Sequence, residues 1–183
     1  VIKECGAKVK TNEQENSIKA FEYINDAYNI APKNPKVLKW YVIALGKTVE
    51  HKRIRTQIEE SKNIEKIALA VIKELPDDAY CYNILGQWHY RLADLSGPSR
   101  RIASLLFSDP PEGSFEKAKF FLEQSIKINP EYIGTYYWLG KTYIKLSDTK
   151  KANELFRQGI VLERPFKREE EIFKKMNKLL KNN

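Results

Sequence analysis

Cysteine, histidine and methionine are scarce in this sequence, whose 183 residues include two cysteines, two histidines and one methionine. Cys5 and Cys81 lie far apart and share no metal-ligand spacing, which argues against a disulfide framework and favours a reducing, cytosolic setting. His51 and His89 are paired with neither a nucleophile nor a metal-binding motif, and the sequence has no glycine-rich phosphate loop. These shortages argue against an enzyme, and we expect no cofactor.

Long apolar runs are also missing. No stretch approaches the roughly 18 apolar residues that a membrane span requires, and no secretory signal opens the chain. Because the chain begins at Val1 rather than at a methionine, an upstream membrane anchor stays open. No segment alternates apolar and polar residues with a period of two, so we predict an all-α chain without a sheet.

Basic side chains are in excess. Lysine and arginine number 32 against 24 aspartates and glutamates, which gives a formal net charge of +8, while 42% of the residues are apolar and 11% aromatic. The apolar content is sufficient for a folded core. The charge favours an acidic partner, such as an acidic protein segment, an anionic membrane surface or nucleic acid.

A Leu-Gly pair recurs along the chain, as Leu45-Gly46, Leu85-Gly86 and Leu139-Gly140. Tryptophan and tyrosine flank each pair. Each helical pattern then ends near a proline, and these prolines are Pro32, Pro76, Pro130 and Pro165. Such a periodic pattern is typical of a helical-repeat protein.

The most regular repeat resembles the tetratricopeptide repeat, with a period of about 34 residues. It contains Leu139, Gly140 and Tyr143, followed by Ala152 and Phe156. A glycine at position 140 would let the second helix approach closely, and Ala152 is the small residue expected to face it. We therefore predict a tetratricopeptide-like solenoid of helical hairpins, closed by a C-terminal capping helix.

The repeats divide the chain into segments of one predicted domain, residues 1–183. In the third repeat, Gly86 and Ala118 lie 32 positions apart, about 20 more than Gly140 and Ala152 in the last one, which indicates an insertion. The predicted segments are a half-unit at 15–34, units at 35–76, 77–130 with an insertion at 97–113, and 131–165, and a C-terminal helix at 166–181.

Nine helices follow from the apolar periodicity. Asn34, Ser114 and Asp148 precede three of them and are expected to be N-caps. The predicted helices cover 15–30, 35–50, 60–74, 78–95, 98–107, 114–128, 131–146, 149–162 and 166–181.

The order of motifs resembles the regulator of microtubule dynamics protein family over residues 15–165. The resemblance rests on Leu85-Gly-Gln-Trp-His-Tyr90, on the insertion from Arg100 to Pro111 with its double proline, and on Leu139-Gly-Lys-Thr-Tyr143. It implies a cytoplasmic helical-repeat module associated with microtubules and the spindle, with a role in spindle organisation and chromosome segregation. Some members carry an upstream membrane anchor, act at membrane contact sites and are linked to phospholipid binding.

The first helix of each predicted hairpin should line a binding groove, because residues around the Leu-Gly pair share one helix face. An ordinary solvated surface is the alternative interpretation. The Lys and Asn set of a chaperone-type carboxylate clamp is not reproduced. The predicted groove residues are Trp40, Lys47, His51, Tyr80, Asn83, Gln87, Arg91, Tyr137, Lys141 and Lys145.

Two clusters of basic residues accompany the groove: Lys52, Arg53 and Arg55 between two helices, and Arg100 with Arg101 at the start of the insertion. They either solvate the helices or attract the acidic tails of tubulin. Nucleic acid is not expected, since no nucleic-acid-binding module is present.

An apolar stripe marks the C-terminal segment: Phe166, Ile172, Phe173, Met176, Leu179 and Leu180. At helical spacing the stripe predicts a capping helix packed on the last repeat, and the alternative is a helix that binds a partner or a membrane surface.

Three functions are compatible with these patterns and with the family resemblance. They are a microtubule-associated module that binds tubulin or an acidic adaptor, a phospholipid-binding tether at membrane contact sites, and a generic peptide-binding scaffold.

Overall fold

The computed structural model describes the backbone of residues 2–108, 110–164 and 167–182, and the side chains of 15–108, 110–164 and 168–181. These ranges contain nine helices and no strand, so the prediction of an all-α chain is confirmed for them. The helices are α1 (Ile2–Ile30), α2 (Pro35–Glu50), α3 (Ile54–Glu74), α4 (Ala79–Ala93), α5 (Gly97–Leu106), α6 (Phe115–Ile128), α7 (Ile133–Lys145), α8 (Thr149–Ile160) and α9 (Lys167–Asn182).

Local signals account for most helix starts. The Asn34 side chain accepts hydrogen bonds from the backbone N–H groups of Lys36 and Val37, and Pro35 follows at the first helical position. Ser114 caps α6 and Asp148 caps α8 in the same way. All three predicted N-caps are confirmed, and Asp78 adds a fourth at the start of α4.

Two helix starts differ from the predictions by more than two residues. Helix α3 begins at Ile54 rather than at residue 60, so Arg55 lies in its first turn instead of in a loop. Helix α1 is continuous from Ile2 to Ile30, whereas the predicted helix begins only at residue 15. Weak apolar periodicity hid the early part of α1, and the start of α3 was missed because its first turn has no side-chain cap.

The chain forms two compact units. Unit 1 consists of Val1–Pro76 and Ser96–Pro111, and unit 2 consists of Asp77–Leu95 and Glu112–Asn183. Division into one domain with the repeat boundaries given above stays a prediction.

Unit 1 is built from α1, α2, α3 and α5. Tyr41 of α2 stacks on Tyr28 of α1 with ring centroids 4.4 Å apart, and Phe21 lies 5.4 Å from the same ring. Helix α2 packs on α3, and α3 packs on α5. The buried apolar side chains of this unit are Val42, Leu45, Val49, Ile58, Ile67, Ala68, Val71 and Ala103.

Unit 2 is built from two helix pairs and a closing helix. Helix α4 packs on α6 although α5 lies between them in sequence, so the predicted insertion separates two paired helices; α7 packs on α8. Helix α9 covers α7 and α8 with Ile172 and Met176, both buried, which confirms the predicted capping helix. Phe166 of the predicted stripe lies outside the described residues.

The Leu-Gly pairs differ in what their glycines contact. A Cβ at Gly86 would overlap the Leu122 side chain, and one at Gly140 would overlap the Phe156 ring, so both helix pairs depend on glycine for their spacing. The ring of Phe156 is the group nearest to such a Cβ at Gly140. At Gly46 such a Cβ would have no atom within 4 Å beyond its own helical turn, so this glycine does not set the distance to a neighbouring helix.

Candidate functional site

The predicted groove residues divide between the two units. Trp40, Lys47 and His51 lie on α2 and at its C-terminal end in unit 1. The other seven lie in unit 2, with Tyr80, Asn83, Gln87 and Arg91 on α4 and Tyr137, Lys141 and Lys145 on α7.

Helices α4 and α7 are joined by a buried polar network. The Asn83 side-chain amide donates to Thr135 Oγ1 over 2.9 Å, and Thr135 Oγ1 lies 3.2 Å from Ser125 Oγ of α6. Ser125 in turn donates to the carbonyl oxygen of Ala79. Because buried polar groups are costly unless they are paired, this network holds the three helices in one register.

Asn83 is therefore part of the packing and not of the accessible surface. Only 2% of it is exposed, and its carbonyl oxygen accepts from the Gln87 side chain. The sequence placed Asn83 in the groove because helical spacing gives the face of a residue but not its depth. Tyr80, by contrast, is exposed and lies with its ring centroid 5.2 Å from that of Tyr132.

Three aromatic rings gather beside the C-terminal half of α4. Tyr90 of α4 is buried, and its ring centroid lies 5.3 Å from Trp138 of α7 and 5.5 Å from Phe115 of α6. Tyr137 lies next to Trp138 at 5.5 Å, and both are half-buried. Together, Tyr90, Tyr137 and Trp138 form an aromatic base on which cationic side chains lie.

Lys141 and Arg91 are these cations. The Lys141 ammonium lies 4.7 Å from the Tyr90 centroid, 4.9 Å from that of Trp138 and 5.6 Å from that of Tyr137. The Arg91 guanidinium lies 5.3 Å from the Trp138 centroid. Cations at such distances are attracted to the negative faces of aromatic rings, so the rings fix where the charges lie.

Burial lowers the pKa of Lys141. The carboxylate of Asp94 opposes this shift, while Arg91, Lys145 and Lys175 lower the pKa of Lys141 further. A lowered pKa means that the charged ammonium is less favourable here than in water, and an additional carboxylate nearby would favour it.

Lys145 completes the basic surface of unit 2. Its Nζ atom lies 2.6 Å from Asp94 Oδ1, and both side chains are about two-fifths exposed, at 40% and 39%. We call Arg91, Lys141, Lys145, Tyr90, Tyr137 and Trp138 the α4–α7 cluster.

The predicted residues of unit 1 form no comparable cluster. Trp40 is 57% exposed, with the Lys39 ammonium 5.6 Å from its ring centroid. Lys47 Nζ lies 4.0 Å from Glu50 Oε2, and His51 is exposed at the end of α2. The predicted basic residues Lys52, Arg53, Arg55, Arg100 and Arg101 are all exposed, and Arg55 pairs with Glu59 at 3.0 Å.

Sequence reasoning did not single out Asp94, Lys175 or Thr135. A signal was present for Asp94, because a carboxylate at the C-terminal end of a helix opposes the helix dipole and needs a compensating cation. Lys175 comes from a distant helix, and only the tertiary structure brings its charge toward Lys141.

The described residues contain no group of three or more His, Cys, Asp or Glu side chains placed to hold a metal ion. Among the helices of the described ranges, none has both the length and the apolar character that crossing a membrane requires. The α4–α7 cluster presents three partly exposed cations, two of which lie on aromatic rings, and such a set can bind carboxylates.

The fold defines the class of the protein as a tetratricopeptide-like helical repeat. A thermophilic TPR protein of Thermus thermophilus matches it with a TM-score of 0.60 at 16% identity, covering 92% of this chain and 76% of that chain. MamA matches with a TM-score of 0.53 at 16% identity, covering 94% of this chain and 89% of that one. At these identities the likeness establishes the fold alone.

The family is shown by the sequence. A family model described as "Regulator of microtubule dynamics protein 1-3" matches residues 2–183, and the chain belongs to this family. Regulator of microtubule dynamics protein 1 of Homo sapiens is 31% identical over 147 residues, which cover 78% of this chain and 47% of the relative. Regulator of microtubule dynamics protein 2 of Homo sapiens is 24% identical over 155 residues, which cover 84% of this chain and 38% of that relative. The chain thus spans about half the length of these relatives or less.

Proposed function

We propose that this chain is a microtubule-associated binding module that acts without catalysing a reaction and contacts acidic segments of tubulin, or of an acidic adaptor protein, through the α4–α7 cluster. By this proposal it works in the cytoplasm at the cytoskeleton, including the spindle, in spindle organisation and chromosome segregation. The observation that carries the proposal is the position of Arg91 and Lys141 over three aromatic rings, with Lys145 four residues further along α7, in a family whose members are named for microtubule dynamics.

The charges and rings of the cluster have complementary roles in this mechanism. Glutamate-rich segments approach a basic surface rapidly because long-range attraction steers the encounter, and salt weakens that attraction. The half-buried rings of Tyr137 and Trp138 supply apolar area for the methylene groups of a bound segment. Affinity should therefore be salt-sensitive and should depend on the cations that the rings hold in place.

Co-sedimentation with stabilised microtubules tests the proposal. The protein should pellet with microtubules at low salt, and both proteolytic removal of the tubulin tails and high salt should release it. Sedimentation that is unchanged at high salt would refute the charge mechanism.

A charge-removal variant locates the binding face. The double substitution Arg91→Gln with Lys141→Met should weaken microtubule binding about tenfold, if each partly exposed charge contributes about 0.7 kcal/mol. Lys127→Gln with Arg157→Gln is the matched control, because it removes the same charge from exposed positions on α6 and α8 of the same unit. Equal loss in both variants would mean that only net charge matters.

A second pair of substitutions tests the basic residues of unit 1. Lys52→Gln with Arg53→Gln removes two exposed charges between α2 and α3. If this variant loses more affinity than Arg91→Gln with Lys141→Met, the basic run of unit 1 carries the binding, and the α4–α7 cluster does not.

A further inference from the structure

Asp94 occupies an unusual position for a carboxylate. It is the C-cap residue of α4, and its backbone N–H bonds to the carbonyl oxygens of Leu92 and Tyr90. The C-terminal end of a helix carries partial negative charge, so an acidic side chain there is disfavoured. Asp94 needs no side-chain hydrogen bond to end the helix, because its backbone does so. Its carboxylate is therefore explained by its contact with Lys145 and not by helix capping.

Positive charge also surrounds Lys141, which lies one helical turn before Lys145 on α7. Arg91, Lys145 and Lys175 disfavour the charged form of Lys141, and the carboxylate of Asp94 favours it. The Asp94 carboxylate thus acts on Lys141 as well as on Lys145. A second carboxylate that bound beside Lys141 and Lys145 would be attracted by several cations at once.

The ion pair is also open to exchange. Both partners are about two-fifths exposed, so either can be rehydrated without unfolding of the helices. Exposed ion pairs of this kind contribute little to stability, which makes their rupture inexpensive. If another carboxylate replaced Asp94, Lys145 would keep a partner of the same chemistry, and Asp94 would return to water.

We propose that Asp94 is a built-in competitor for the ligand: its carboxylate holds Lys145 in the free protein, and a glutamate side chain of an acidic protein segment displaces it to bind among Lys145, Lys141 and Arg91. The inference rests on the proposed function and adds to it the regulation and the chemical class of the bound group. The free protein is thereby weakly self-inhibited, and removal of the Asp94 charge makes the site stronger.

A glutamate-rich protein segment fits this place better than a phosphate-bearing ligand. Its side chain combines a single carboxylate, which can replace that of Asp94 one for one, with methylene groups that can lie on Tyr137 and Trp138. Its neighbouring glutamates add negative charge, which Arg91 and Lys175 attract as well. A phosphate group has the charge but no methylene stem for the rings.

The test uses a fluorescent decaglutamate peptide and microtubules as two separate probes of the full chain. Asp94→Asn should bind both about two- to fivefold more tightly than the unsubstituted protein, the range expected for release of an exposed ion pair. Glu131→Gln is the matched control, because it removes one exposed carboxylate near the start of α7, about 18 Å along that helix from Lys145. Glu131→Gln should change the affinities for decaglutamate and for microtubules only as much as the loss of one negative charge anywhere on the surface would.

A double substitution separates displacement from a general charge effect. In a Lys145→Gln background, Asp94 has lost the cation with which it forms its ion pair, so Asp94→Asn should increase the affinity for decaglutamate clearly less than it does in the unsubstituted background. An increase of the same size in both backgrounds would overturn the inference. Circular dichroism and urea unfolding should show that each variant keeps the fold, because neither Asp94 nor Lys145 is buried.

The outcomes distinguish the inference from the proposed function. If the unsubstituted protein binds microtubules but Asp94→Asn behaves like Glu131→Gln, the proposed function stands and the inference is wrong. If the unsubstituted protein binds neither microtubules nor decaglutamate, both fail. If Asp94→Asn increases binding only to phosphatidylserine vesicles and not to decaglutamate, the bound group is a lipid headgroup, and the proposal of a glutamate ligand is overturned.

Discussion

Units 1 and 2 contain the same Leu-Gly motif but use its glycine differently. In unit 2, Gly86 and Gly140 each face a side chain that leaves no room for a Cβ, whereas Gly46 in unit 1 faces open space. The motif therefore identifies a helix pair in both units, but it does not set how closely the helices approach. That distance depends on the residue opposite, which the motif does not contain.

Burial follows the same division. Helix α4 of unit 2 buries nine of its residues, including Asn83 and His89, whereas none of the residues of α1 whose side chains are described is buried. Buried polar residues of unit 2 require hydrogen-bond partners or must stay uncharged, whereas the polar residues of α1 stay hydrated. Unit 2 should consequently respond more strongly than unit 1 to substitutions and to pH.

The largest expected difference concerns the two histidines. His89 of unit 2 is 4% exposed, stacks on Phe121 with ring centroids 5.4 Å apart, and its Nδ1 atom has no hydrogen-bond partner within the described part of the chain. Burial lowers the pKa of His89 to about 4, and the charge of Lys117 adds to the shift. Below pH 6.5 the unfolded chain then binds a proton that the folded chain does not.

The free energy of unfolding should therefore fall as the pH is lowered from 6.5 to about 4, by up to about 3 kcal/mol from His89 alone, and this contribution should level off below pH 4. Urea denaturation across this range measures the slope. His89→Phe should flatten it, and His51→Gln, which removes the exposed histidine of unit 1, should leave it steep. A slope unchanged in His89→Phe would contradict the assignment.

The glycines give the next largest difference. Gly140→Ala should lower the free energy of unfolding by about 2 kcal/mol, because the new methyl group collides with the buried Phe156 ring. Gly46→Ala should raise it by about 0.5–1 kcal/mol, since alanine favours the helix and the space is open. Changes of opposite sign in the free energy of unfolding, measured by urea denaturation, would confirm that the two glycines differ in this way. Destabilisation by both substitutions would contradict it.

Two threonines give the smallest difference. Thr135 of unit 2 is fully buried and receives the Asn83 hydrogen bond, so Thr135→Val should cost about 1–2 kcal/mol by leaving that amide without its partner. Thr48 of unit 1 donates to the carbonyl oxygens of Ala44 and Ser17 while partly exposed, and Thr48→Val should cost less than about 1 kcal/mol. Hydrogen exchange of α7 and α2 amides would assign each loss to its unit.

The predictability of single features depends on how local their causes are. The N-caps Asn34, Ser114 and Asp148 were predictable because a cap acts within three residues of itself. The early start of α3 was missed, since its first turn has no side-chain cap. In the candidate site, helical spacing assigned Arg91, Lys141 and Asn83 to one predicted groove. The structure brings Arg91 and Lys141 to the Trp138 ring and buries Asn83, because spacing along a helix does not give the depth of a side chain.

The helical class, the recurring hairpins and the family could be predicted from the amino-acid sequence, because apolar periodicity, the prolines at helix ends and the order of the motifs are properties of consecutive residues. Three features became visible in the folded chain alone: which glycine contacts a neighbouring helix, which polar residues are buried, and the action of Asp94 and Lys175 on Lys141. These features depend on side chains that are distant in sequence and close in space, and their energies arise from burial and charge that no single helix contains.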